Sequence, residues 1–107
     1  MTDKNSDADW VVYLIRTRHD ALYCGITNNL TRRFEQHQQG KGAKALKGKG
    51  PLSLEWSHIV DSKSHALRIE YAIKQLSKPR KESLVKEQLY VDIQDDKVVY
   101  FEPMFNS

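Results

Sequence analysis

Five side chains in this sequence have types and spacing suited to chemistry on a phosphate: Tyr13, Tyr23, Arg33, His37 and Glu70. Glu70 is the most informative. It interrupts an apolar helical stripe of Ala66, Ile69, Ile73 and Leu76. A carboxylate beside two isoleucines is costly to bury unless a cation or hydrogen-bond donors meet it. Arg33, a lysine or a divalent metal could be that partner, and so could a plain salt bridge at a helix edge. Arg33 and His37 are one helical turn apart and project to the same side. A guanidinium grips phosphate through two parallel donors, and the imidazole could move a proton or bind phosphate. A solvated arginine beside a half-buried histidine fits the same spacing. Tyr13 and Tyr23 are core aromatics or reactive phenols. An ordinary phenol is only about 0.1% ionised at neutral pH, a handicap of roughly 4 kcal/mol. Either tyrosine could act as a base only beside positive charge.

The elements that must position these residues are legible in the patterning. Trp10 to Ile15 is a β-branched and aromatic run suited to a strand covered on both faces. A second run, Ala21 to Ile26, follows a short polar stretch, which reads as a hairpin. A register that pairs Tyr13 with Tyr23 puts both phenols on one face. Asn28 and Asn29 offer an N-cap, Leu30 to Gln39 read as helix, and Gly40 ends it. The stripe of this helix is Leu30, Arg33, Phe34 and His37; half of it is polar, so it should border a site or groove. Leu52 to Val60 reads as a third strand, and Ser62 caps a helix over residues 63–77. Pro79 opens a third helix reaching Glu87. The tail alternates around Asp95-Asp96, which suggests a hairpin or an added strand. The expected fold class is α+β, in the order β-β-α-β-α-α with this extension.

Charge is distributed unevenly. Residues 16–50 carry eight cationic and two acidic side chains, whereas residues 87–107 carry one and five. A basic centre with an acidic end suits a polyanion, usually nucleic acid. Residues 40–51 contain Lys41, Lys44, Lys47 and Lys49 among glycines and no acid. The segment lacks the Ser or Thr after a GxxxxGK that a P-loop requires. It reads instead as a flexible basic loop or a poorly formed turn of helix, ended by Pro51, that can track a sugar–phosphate backbone. The four histidines have no zinc-site spacing and the single cysteine, Cys24, reads as a small buried filler. No apolar run approaches the roughly 20 residues a membrane helix needs. The first ten residues carry no hydrophobic signal core. The expectation is a single soluble, cytoplasmic domain of 107 residues.

Taken together, the motifs resemble the GIY-YIG nuclease superfamily. Val11-Val12-Tyr13 stands at the place of GIY, and Tyr23-Cys24-Gly25 at the place of YIG. Thr31-Arg32-Arg33-Phe34-Glu35-Gln36-His37 is similar to the family's arginine-bearing helix, and Glu70 to its metal-binding glutamate. The stretch from Tyr23 to Trp56 is similar to the small stand-alone bacterial YhbQ-like group. The resemblance spans residues 10–86 and leaves residues 87–107 as an acidic C-terminal extension. It implies a three-stranded antiparallel sheet flanked by helices, and Mg²⁺-dependent phosphodiester hydrolysis of DNA, with branched and single-stranded DNA among the candidate substrates, in a DNA-repair setting. Carried over by position, Tyr23 orients or deprotonates the attacking water with Tyr13 beside it. Arg33 steadies the pentacovalent phosphate, Glu70 holds one Mg²⁺ ion, and His37 takes a further polar position in the site. Arg32 and the four loop lysines are the expected DNA contacts. Two function classes fit: an endonuclease, or a catalytically weak module that binds nucleic acid or a repair-protein partner.

Overall fold

The computed structural model describes residues 9–95 and 97–102. The polar stretch 1–9 reads from its sequence as a frayed end, and residues 1–8 of it lie outside the described residues, as do Asp96 and residues 103–107 of the acidic extension. The elements run β1 (Trp10–Arg16), β2 (Leu22–Thr27), α1 (Leu30–Gln38), β3 (Ser53–Val60), α2 (Lys63–Lys74), α3 (Lys78–Glu87), β4 (Tyr90–Gln94) and β5 (Lys97–Phe101). Strands β2, β1 and β3 form an antiparallel sheet in that order, and β4 pairs with β5 in a separate two-stranded sheet. The fold is therefore α+β with a three-stranded antiparallel sheet, and the tail is a hairpin.

Central strand β1 explains its own sequence. Val12, Tyr13, Leu14 and Ile15 are all buried, because helices cover both faces of the sheet. Alternation splits them between two cores. Val12 and Leu14 join Cys24, Trp56 and Val60 under Ala66, Ile69 and Ile73 of α2 and Leu84 of α3. Tyr13 and Ile15 point the other way, among Tyr23, Leu30 and Phe34 of α1, Leu46 and Leu52. Each fully buried Ile or Leu contributes roughly 1.5–3 kcal/mol relative to exposure.

The observed register corrects one expectation. Tyr13 pairs with Gly25, and Tyr23 with Ile15. The shift is two residues, one full period of the pleat, so the two phenols still share a face. The β1–β3 ladder slips after Leu14, which faces Trp56 while Ile15 faces Leu54. The bulged residue is Glu55, whose carboxylate lies 3.5 Å from Arg16.

Side-chain caps start the helices: Asn29 accepts from the Arg32 N–H, Ser62 from that of His65 and Ser77 from that of Arg80. Arg16 ties α3 to the sheet, donating to both Glu82 oxygens at 2.7 and 2.8 Å. The hairpin docks through buried Val91, a Trp56 Nε1–H to Leu89 carbonyl bond of 2.8 Å, and a His65–Asp92 contact of 2.8 Å. Residues 40–51 combine loop with one short helical turn. A short 3₁₀ turn at Lys44–Leu46 sends Leu46 into the core beneath Tyr13, while all four lysines stay exposed.

Candidate active site

Tyr13 on β1, Tyr23 on β2 and His37 on α1 form a triangle of rings. Their centroids are 6.5 Å apart between the tyrosines, 5.9 Å from Tyr13 to His37 and 5.8 Å from Tyr23 to His37. Tyr13 Oη and His37 Nε2 are hydrogen-bonded at 2.9 Å, and both residues are buried. The other ring nitrogen of His37, Nδ1, accepts from the Ala43 N–H at 3.2 Å. Tyr23 is half-buried, so it is the more accessible phenol of the pair.

Arg33 stands one helical turn before His37, and its Nη1 donates to Gln36 at 3.1 Å. Its charge acts on both partners. Burial pushes the Tyr13 phenol up to about 12, with Tyr23 adding to the rise and Arg33 opposing it. Burial holds the His37 imidazolium below its ordinary range, and Arg33 lowers it further. Tyr13 is therefore protonated and His37 neutral at pH 7. Beyond Arg33 opens a cleft of about 310 Å³ lined by Trp10, Thr27, Asn29, Arg32, Arg33 and Gln36. The mouth of this cleft is cationic and rich in donors, a surface suited to an anionic chain.

Two glycines set the positions of the buried pair. A Cβ on Gly25 would lie 2.5 Å from Tyr13 Oη and 2.7 Å from its Cζ. A Cβ on Gly42 would collide with Nδ1 and Cε1 of His37. Sequence reasoning missed both roles, along with the Ala43 N–H. A glycine inside a strand run was the available signal for Gly25; nothing local marks Gly42.

Glu70 stands apart from this cluster. It lies on α2, whose Ile69 and Ile73 pack on the Cys24 face of the sheet, opposite the face of Tyr13 and Tyr23. Its carboxylate is half-buried and pairs with Lys74 at 3.4 Å. It also adds to the rise of the Cys24 thiol, which burial pushes up to about 12. Cys24 is thus a protonated filler, not a nucleophile. Glu70 and Tyr23 border opposite sides of β2, an edge strand of the sheet. α2 and Tyr23 lie on opposite faces of the sheet, so a phosphodiester that met both would do so around the β2 edge. Among the described residues no cluster of three His, Cys, Asp or Glu is placed to hold a metal. Glu70 still offers the hard oxygen donor that Mg²⁺ prefers, and Mg²⁺ commonly takes one or two carboxylates plus water and substrate phosphate. The donor set fits an ion completed by substrate.

The family model for the GIY-YIG catalytic domain matches residues 9–83. A UPF0213 protein of Vibrio parahaemolyticus is 60% identical over 98 residues, covering 92% of this chain and 92% of its own length. The UPF0213 protein YhbQ of Salmonella typhimurium is 60% identical over 79 residues, which is 74% of this chain and 79% of that one. The solution NMR structure of a UPF0213 protein from Bacillus halodurans aligns with a TM-score of 0.49 at 38% identity, over 73% of this chain and 83% of that chain. The chain belongs to the GIY-YIG family. That membership indicates a nuclease superfamily whose enzymes generally use a divalent metal and act on DNA. Among the described residues no helix is long and apolar enough to cross a membrane.

Proposed function

We propose that this protein is a Mg²⁺-dependent endonuclease that hydrolyses phosphodiester bonds of DNA. The observation that carries the reading is the Tyr13–His37 hydrogen bond of 2.9 Å, with Tyr23 beside it and Arg33, which also lines the cationic cleft, one helical turn before His37. Any buried phenol needs a hydrogen-bond partner; what points to function here is that the partner is an imidazole, with a guanidinium one helical turn away.

In this reading the phosphate lies at the β2 edge, against Arg33. Tyr23, the accessible phenol, aligns the attacking water through its Oη. As the water oxygen bonds to phosphorus, the bond from phosphorus to the leaving oxygen breaks. Arg33 meets the charge that builds on the pentacovalent phosphate. The water's proton and the proton taken up by the leaving oxygen exchange with solvent. Glu70 would hold Mg²⁺, which when bound supplies positive charge at the leaving oxygen. Arg32, Lys41, Lys44, Lys47 and Lys49 hold the strand through its phosphates, a contact that carries no sequence preference of its own.

A second reading draws on one observation: Glu70 pairs with Lys74 and lies across β2 from Tyr23. In that reading the protein is a binding module with little catalysis. Incubation with supercoiled, single-stranded and branched DNA, in Mg²⁺ or in EDTA, separates the two. Metal-dependent cleavage lost in Glu70→Gln supports the enzyme. Binding of every substrate without cleavage supports the module.

A further inference from the structure

His37 is gripped on both sides, and the grip comes from the basic loop. Its Nδ1 faces the Ala43 N–H at 3.2 Å, and a backbone N–H can only donate. Nδ1 must therefore be the unprotonated nitrogen, and in a neutral ring the proton sits on Nε2. The Nε2–H then points at Tyr13 Oη, 2.9 Å away. Tyr13 accepts this bond, which leaves its own O–H to be directed elsewhere. The loop is built for the contact. Gly42 carries no Cβ where the imidazole lies. The Lys41 N–H donates to the Gln36 carbonyl at 2.9 Å, and the Gly40 N–H to that of His37 at 3.0 Å. Leu46, whose N–H donates to the Ala43 carbonyl at 3.0 Å, is 2% exposed in the core beneath Tyr13.

We propose that the Gly42–Ala43 step of the basic loop is the positioning element of the site: its N–H holds His37 as the Nε2–H tautomer, so that His37 donates to Tyr13 and the Tyr13 hydroxyl proton is turned away from His37. The consequence for cleavage rests on the nuclease reading above; the tautomer does not. The arrangement assigns His37 the role of hydrogen-bond donor. Its one basic nitrogen is occupied by the loop, so His37 is not the base that activates Tyr13. Protonation of His37 would set a second donor against the Ala43 N–H, with Arg33, Tyr13 and Tyr23 facing the same ring. Exposed Lys41 and Lys44 flank the step, so the backbone that would bind polyanion also sets the tautomer.

The test reads the tautomer directly. In protein labelled with ¹⁵N-histidine, two-bond proton–nitrogen correlation at neutral pH should show His37 with Nε2 protonated and Nδ1 bare. An Nδ1–H pattern in the wild type would overturn the proposal outright. The second arm replaces Ala43 by lactic acid, which exchanges the N–H for an ester oxygen and keeps the methyl group. His37 should then populate both tautomers, and kcat should fall about tenfold to a hundredfold while DNA affinity stays within about threefold. Ala43→Gly, which keeps the donor, should retain the Nε2–H pattern and most of kcat. An ester protein with an intact Nε2–H pattern and wild-type kcat would overturn the proposal. A wild type that shows the Nε2–H pattern but cleaves nothing would support the positioning and count against the nuclease reading instead.

Discussion

Replacing Gly25 with alanine puts a methyl group where the Tyr13 phenol already lies. The new carbon would stand 2.5 Å from Oη, 2.7 Å from Cζ and 3.1 Å from Cε1, against an ordinary contact of 3.4 Å or more. The ring must retreat by nearly 1 Å, about the difference between 2.5 and 3.4 Å. It has little room, because Tyr13 is 1% exposed and packed against Ile15, Leu46 and Leu52. Overpacking of this kind costs about 1–3 kcal/mol. Pulling Oη away from His37 leaves a buried donor unpaired, at about 1–3 kcal/mol more. The stiffer unfolded chain returns roughly 0.4–1 kcal/mol. The net expectation is a loss of about 1–5.5 kcal/mol, which lowers Tm by roughly 4–25 °C in a domain of this size, at about 4–5 °C per kcal/mol. Cleavage measured well below the new Tm should drop about a hundredfold, since misplacement by about 1 Å is enough for that. The control is Gly48→Ala, where φ is +72° and no heavy atom lies within 4 Å of the new Cβ. That variant should lose only about 1–2 kcal/mol for the left-handed backbone and keep its kcat. A Gly25→Ala protein that melts and cleaves like the wild type would refute the reasoning, because Tyr13 could then move without consequence.

Replacing both Lys41 and Lys44 with alanine should flatten the slope of log affinity against log salt by up to about 2, read from binding titrations on duplex DNA; an unchanged slope removes the loop from the interface. Glu70→Gln should abolish cleavage with DNA affinity equal or slightly higher, and Arg33→Ala should lose cleavage with a smaller loss of affinity, in paired nicking and binding assays at one salt concentration. Cleavage by Glu70→Gln at the wild-type rate would place the metal elsewhere. Acid stability should depend on Glu82, whose carboxyl is held at about 2 by the Arg16 hydrogen bonds and then by Lys78, against an ordinary 4.5. A depressed folded pKa stabilises the protein above the unfolded value, and that contribution fades as pH falls from 4.5 toward 2. Glu82 is partly exposed, so the share is on the order of 1 kcal/mol. Urea melts of Glu82→Gln should be less stable than wild type at pH 7 and converge with it near pH 2; a constant gap would contradict the ion-pair account.

Much of the architecture was legible in the chain because its causes are local. Asn29, Ser62 and Ser77 cap helices through their own side chains, and Pro79 sits in the first turn of α3. The polar breaks in the α1 stripe at Arg33 and His37 marked the face that borders the tyrosines. Pleat parity was legible too, since an error of two residues in the β1–β2 register leaves Tyr13 and Tyr23 on the same face.

What the chain could not disclose depends on elements meeting in space. The exact pairing of Tyr13 with Gly25 follows from how the hairpin closes and how the sheet packs, and it alone makes the absence of a side chain at Gly25 necessary. The anchoring of the basic loop by Leu46 needs the pocket beneath Tyr13, which exists only once β1, α1 and residues 43–52 are assembled. Glu70 shows the same limit. Its interrupted stripe announced a polar position, but which side of the sheet α2 covers is decided by the packing of Ile69 and Ile73 on Leu14 and Cys24. Residue types and spacing determined which groups are available for phosphate chemistry. Tertiary packing decided that His37 meets Tyr13 within one hydrogen bond while Glu70 stands across an edge strand, because the two helices bury their apolar stripes on opposite faces of one sheet.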